Sequence, residues 1–143
     1  MPRMTIGRRK LLLVGGGLIA ASCGPQTNRT LPALISAGKV TDLATGTLRA
    51  ISGMGVAIGR DAQGIYALSL ICTHAGCDIS VDGSVSAGSI GCACHGSVFD
   101  GQGAVVSGPA SAPLAHLVVT ADAQGNLTIH GDQPTAASTR LPA

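Results

Sequence analysis

Four cysteines and two histidines fall between positions 72 and 97, as Cys72-Thr73-His74-Ala75-Gly76-Cys77 and then, after a Gly/Ser-rich interval, Cys92-Ala93-Cys94-His95-Gly96-Ser97. A chain that brings these six side chains together from two loops has little freedom in how it folds around them. Thiolate and imidazole suit iron or zinc, whereas magnesium and calcium demand oxygen donors. The spacing alone leaves open which four groups bind.

The rest of the composition narrows what can surround such a site. At 143 residues the chain allows one compact domain plus extensions, which excludes a multidomain oxygenase. With 45% hydrophobic and 11% charged residues it can bury a core. That core has almost no rings: Trp is absent, and Tyr66 and Phe99 are the sole aromatics beside 21 glycines. Small residues and tight turns favour an all-β domain with an internal staple over a helical bundle, which would need long Leu-rich stripes. Two hairpins are expected. One joins Val56–Ile58 to Ile65–Leu70 through Asp61-Ala62-Gln63-Gly64, and the other joins Leu117–Thr120 to Leu127–His130 through Asp122-Ala123-Gln124-Gly125-Asn126.

The N-terminus reads as an address. Residues 7–23, GRRKLLLVGGGLIAASC, carry a basic start, a short apolar stretch and small residues, the pattern of a signal sequence. Leu11 to Ala21 is too short to cross a ~30 Å hydrocarbon core as a helix, which needs about 20 residues. The Arg8-Arg9 pair resembles the twin-arginine signal that exports folded proteins. Ala20-Ala21-Ser22-Cys23 resembles a lipobox, so Cys23 is the expected lipidation site, with an ordinary cleaved signal as the alternative. The expected organisation is a signal peptide over 1–22, an anchor and tether over 23–47, a domain over 48–131, and a polar, poorly ordered tail over 132–143. Four of the nine basic residues lie in the first ten positions, and all seven acids lie from Asp42 onward. Without a basic patch or stacking aromatics, nucleic-acid binding is excluded.

The paired boxes C-x-H-x-G-C and C-x-C-H-G-S resemble those of the Rieske iron-sulfur family at every defined position. The resemblance implies a [2Fe-2S] cluster, with Cys72 and Cys92 binding one iron and His74 and His95 the other, and a disulfide between Cys77 and Cys94. It implies an all-β Rieske fold: three antiparallel sheets, the smallest a cluster-binding subdomain inserted between strands of the base. Oxygenase Rieske domains generally lack the second cysteine pair, so its presence points to the quinol-oxidising branch or its soluble relatives. A disulfide also suits the oxidising destination that the leader suggests.

The surroundings of the cluster can be read on the same resemblance. Ser97 is expected to donate its hydroxyl to a cluster sulfur and so to raise the potential. Phe99 stands where many high-potential relatives carry a Tyr. Gly108-Pro109-Ala110 with Pro113-Leu114 resembles the proline loop that covers a third side of the cluster. His116 and His130 lie outside the boxes and receive no role.

The expected function is that of an exported, membrane-anchored carrier of single electrons, on the periplasmic or cell-surface side of a bacterial membrane. Its partners would be redox proteins or a quinol, with no catalytic residues of its own. The alternative is the iron-sulfur subunit of a larger quinol:cytochrome c or arsenite-oxidase-like oxidoreductase. A third reading is a structural Cys2His2 zinc module.

Overall fold

The structure is a computed structural model that describes residues 29–143. The leader and Cys23 lie outside the described residues. Ten strands follow one another as β1 (Ile35–Lys39), β2 (Thr47–Ile51), β3 (Val56–Asp61), β4 (Gly64–Ser69), β5 (Gly83–Val85), β6 (Ile90–Cys92), β7 (Val98–Phe99), β8 (Val105–Ser107), β9 (His116–Ala121) and β10 (Asn126–Thr135). A single turn of helix, α1 (Ile79–Asp82), precedes β5.

Both expected hairpins form, for reasons the turn residues supply. Asp61 Oδ1 accepts from the N–H groups of Gln63 and Gly64, closing the two-residue connection between β3 and β4. Asp122 Oδ1 does the same for Gln124 and Asn126, with Gly125 in the left-handed region at φ 77°.

The strands make a six-stranded antiparallel sheet in the order β1-β10-β9-β4-β3-β2 and a four-stranded one in the order β5-β6-β7-β8. The join between β9 and β4 is slight, just Ala67 with Leu117 and Leu68 with His116. At that seam the large sheet divides into two three-stranded leaves that face each other. Ile35, Leu127 and Ile129 of one leaf pack with Val56, Ile58 and Ile65 of the other. The far face of the second leaf contributes Ala57, Tyr66 and Leu68 to another core, shared with Ile90 and Phe99 of the four-stranded sheet. The molecule therefore has the three layers expected of it, and its middle leaf is buried on both sides. That is why β3 and β4 read as nearly continuous apolar runs rather than alternating ones. Tyr66 fits into this layer because its cross-strand partner is Gly59; a Cβ there would lie 2.5 Å from the ring's Cζ.

Two segments depart from the sequence reading. Residues 35–47, assigned to the tether, include β1, which pairs with β10 and buries Ile35 and Ala37. The alternation in ISAGK is too short to mark a strand by itself, and β10 completes it. The tail, expected to be poorly ordered, continues β10 to Thr135 and then docks on the β3–β4 hairpin. Leu141 exchanges backbone hydrogen bonds with Ile65 at 2.8 and 2.9 Å, and Arg140 pairs with Asp61 at 2.8 Å. Among the described residues no helix is long and apolar enough to cross a membrane.

Candidate metal centre

The two cysteine-histidine boxes fold as the same turn. In the first, Cys72 N–H donates to the Cys77 carbonyl at 2.8 Å, and Gly76 N–H donates back to Cys72 at 2.8 Å. In the second, Cys92 N–H donates to Ser97 at 2.8 Å, and Gly96 N–H donates back to Cys92 at 3.0 Å. Gly76 and Gly96 occupy matching positions in the left-handed region, at φ 77° and 80°, which a side chain rarely tolerates. The antiparallel bridge between Ile71 and Asp78 closes the first turn, and the Gly91–Val98 pair of β6 and β7 closes the second.

This repetition sorts the six cysteine and histidine side chains into three pairs. Cys72 and Cys92 open their turns, carry free thiols and are buried. His74 and His95 are exposed, with ring centroids 4.8 Å apart in an edge-to-face arrangement. Cys77 and Cys94 form a disulfide that ties one turn to the other, with Cα atoms 6.6 Å apart. The Cys92 sulfur also lies within 4.8 Å of both disulfide sulfurs. That trio is not a ligand set, because two of its sulfurs are bonded to each other. Burial, together with the Cys72 thiol beside it, pushes the Cys92 thiol above its ordinary value. A thiol raised in this way keeps its proton until a nearby cation stabilises the thiolate.

A third loop, Gly108–Leu114, covers the turns and touches both. Gly108 packs so closely that a Cβ would lie 2.5 Å from Ser97 Cα and 2.7 Å from the Gly96 carbonyl. Its φ of 100° also requires glycine. Ala110 N–H donates to Ser97 Oγ at 3.1 Å, and Thr73 Oγ1 donates to the Ala112 carbonyl at 2.6 Å. Ser97 has no solvent exposure. Its oxygen accepts from Ala110, which leaves its own proton to donate elsewhere. Thr73 is a contact the sequence reading missed, since it occupies a variable position of the first box. Phe99, also fully buried, belongs to the core beneath the turns. His116 is buried and donates from Nε2 to the Gln102 carbonyl at 2.9 Å, while His130 meets Thr120 Oγ1 at 3.0 Å. Both are strand residues outside the boxes, as expected.

The family model described as the Rieske [2Fe-2S] domain matches residues 34–121. The chain belongs to this family. Among individual Rieske proteins, it is 46% identical over 66 residues to the cytochrome b6-f complex iron-sulfur subunit of Synechococcus sp. strain RCC307, covering 45% of this chain and 36% of that one. The subunit of the same name from Synechococcus elongatus is 45% identical over 64 residues, covering 43% and 35%. The matched part thus spans about a third of the length of these relatives. A chain in the complex of reduced oxygenase and oxidized ferredoxin in carbazole 1,9a-dioxygenase superimposes with a TM-score of 0.51 at 25% identity, over 73% of this chain and 98% of that chain.

The cofactor of a Rieske domain is a [2Fe-2S] cluster, and the donors present here fit it. Two buried free thiols open matching turns, two exposed imidazoles of the same turns lie 4.8 Å apart, and the remaining two cysteines of the boxes are withdrawn into a disulfide. Two thiols and two imidazoles would also suit a tetrahedral zinc, and it is the family match that sets the zinc reading aside.

Proposed function

We propose that Cys72 and Cys92 hold one iron of the cluster as thiolates, that His74 and His95 hold the other, and that the protein passes single electrons across the exposed histidine edge. The observation that carries this reading is the placement of two buried free cysteines behind two exposed imidazoles on turns of the same design. The cluster supplies one-electron redox chemistry at roughly −150 to +300 mV, the range that two imidazoles in place of two thiolates give. The protein's own residues do the rest. The disulfide ties the turns together, and the loop Gly108–Leu114 packs against both of them. Ser97, whose oxygen accepts from Ala110, keeps a proton to give to a cluster sulfur, and the imidazoles form the conducting contact with a partner.

The leader over residues 7–23 supports an exported protein, held at the periplasmic or cell-surface side of a membrane by a lipid on Cys23. A quinol or a redox protein is then the partner. The likeness to iron-sulfur subunits of the cytochrome b6-f complex favours the second reading, a subunit of a quinol-oxidising assembly. Copurification of a cytochrome b-type subunit with the tagged full chain from native membranes separates the complex subunit from the stand-alone carrier. Protein-film voltammetry tests the electron-transfer reading itself. We expect a reversible one-electron wave within the range above, abolished in His74→Asn and Cys92→Ser. A redox-silent protein at full iron content overturns it.

A further inference from the structure

We propose that Arg140, in the C-terminal segment, is a positioning residue for the loop that covers the cluster, so that the tail sets the environment of a centre to which it contributes no ligand. This rests on the ligand assignment above.

The Arg140 side chain is only 10% exposed and every arm of it is engaged. Nε pairs with Asp61 Oδ2 at 2.8 Å, and Nη1 donates to the Ala137 and Thr139 carbonyls at 2.7 and 2.9 Å. Nη2 donates to Gln102 Oε1 at 2.6 Å, and the guanidinium lies 4.6 Å above the Tyr66 ring. Such a planar fork, with four of its five N–H groups engaged, fixes geometry in a way that a point charge does not.

Gln102 belongs to the turn Asp100–Gly103 between β7 and β8, and that turn is gripped from two further directions. Tyr66 Oη donates to the Gly101 carbonyl at 2.8 Å, and His116 Nε2 donates to the Gln102 carbonyl at 2.9 Å. Asp100 Oδ1 braces the turn from within by accepting from Gln102 and Ala104 N–H. The turn in turn holds the end of the covering loop: Leu114 N–H donates to the Gly103 carbonyl at 2.9 Å. Gly103 is also so close that a Cβ there would sit 3.1 Å from Leu114 Cβ. From Leu114 the loop runs back to its two contacts on the cluster turns, Ala112 with Thr73 and Ala110 with Ser97. A continuous path of short contacts therefore links the tail to both ligand-bearing turns. The tail is held here by the paired Ile65–Leu141 backbone hydrogen bonds, in an approach so close that a Cβ on Gly64 would lie 2.4 Å from the Leu141 carbonyl.

If this latch only stabilises the base of the fold, removing it lowers the melting temperature and leaves the redox centre alone. If it positions the loop, the cluster feels the change. The test uses the full chain with its cluster in place and the variants Arg140→Gln, Arg140→Lys and Gln102→Leu, each at matched iron and sulfide content. Midpoint potential and the paramagnetic resonance spectrum of the reduced form are read beside the melting temperature. We expect a higher midpoint and an altered spectrum in Arg140→Gln, because a loosened loop admits water that stabilises the more negative reduced form. Arg140→Lys falls between it and the unaltered protein. Gln102→Leu, which keeps the Asp61 pair and changes an exposed side chain, shifts the midpoint in the same direction and decides the matter where Arg140→Gln fails to fold. Unaltered midpoints and spectra beside a lowered melting temperature overturn the proposal. The spectrum of the unaltered protein tests the ligand assignment separately.

Discussion

Ser97 Oγ is fully buried and accepts from Ala110 N–H at 3.1 Å, so substitution at this position breaks that bond and removes the hydroxyl proposed to donate to the cluster. On the proposed assignment Ser97→Ala takes away a donor to the reduced cluster, and it leaves the Ala110 N–H without its partner. We expect a lower midpoint by voltammetry and a loss of about 1–3 kcal/mol in denaturant titration, the usual cost of an orphaned buried donor. Phe99, two residues further on, offers the opposite change. Phe99→Tyr adds a hydroxyl beneath the turns, and we expect the midpoint to rise; an unchanged midpoint with reduced stability would mean that the hydroxyl finds no cluster sulfur. These residues were legible in the sequence because box and spacing are covalent facts. Thr73 and Gly108 were less so, since what they do depends on chain that arrives from elsewhere. Thr73 reaches Ala112 across 39 positions, and the glycine at 108 is required by the backbone of residues 96 and 97.

Among the elements, the second cysteine-histidine turn is held by short strands of three and two residues and the first is closed by the single Ile71–Asp78 bridge, too little pairing to keep the two in register unaided. The Cys77–Cys94 disulfide, spanning 17 positions, makes up the difference. Replacing both cysteines by serine is expected to cost about 3 kcal/mol, the chain-entropy value for a loop of this size. It should also accelerate iron loss in the presence of a chelator, followed by the decay of visible absorbance. The hairpins at Asp61–Gly64 and Asp122–Asn126 could be read from turn chemistry because the carboxylate that closes each turn lies within it. β1 and the docked tail could not. Ile35–Lys39 is a strand because β10 lies beside it, and Arg140 finds Asp61 across 79 positions. No local pattern carries contacts of that range.

Across the whole molecule, the middle leaf joins a hydrophobic base to the metal-binding layer, and His116 sits where they meet. Burial pushes its imidazole below the ordinary value of 6.5, and Arg140 adds to this, while the Gln102 carbonyl and Asp100 act against it. The unfolded chain therefore takes up this proton first, and stability falls as pH drops through the unfolded value. Asp61 adds a loss of the same sign at lower pH. Burial there works to raise its carboxyl, but Arg140 and the N–H groups of Gln63 and Gly64 outweigh it and hold the group below its ordinary range. We expect the melting temperature to fall between about pH 7 and about pH 5, and His116→Leu to flatten the upper part of that slope. An unchanged slope in the variant would place the acid sensitivity elsewhere. The proposed centre is defined by its division of ligands between two cysteines and two histidines. It is tested most directly by electron–nuclear double resonance on the dithionite-reduced protein, grown with isotopically labelled histidine and assayed for iron and sulfide on the same sample. Two distinct histidine nitrogens coupled to the electron spin, at two irons and two sulfides per chain, are the predicted result. A cluster without histidine coupling, or a colourless protein containing zinc, would contradict the account.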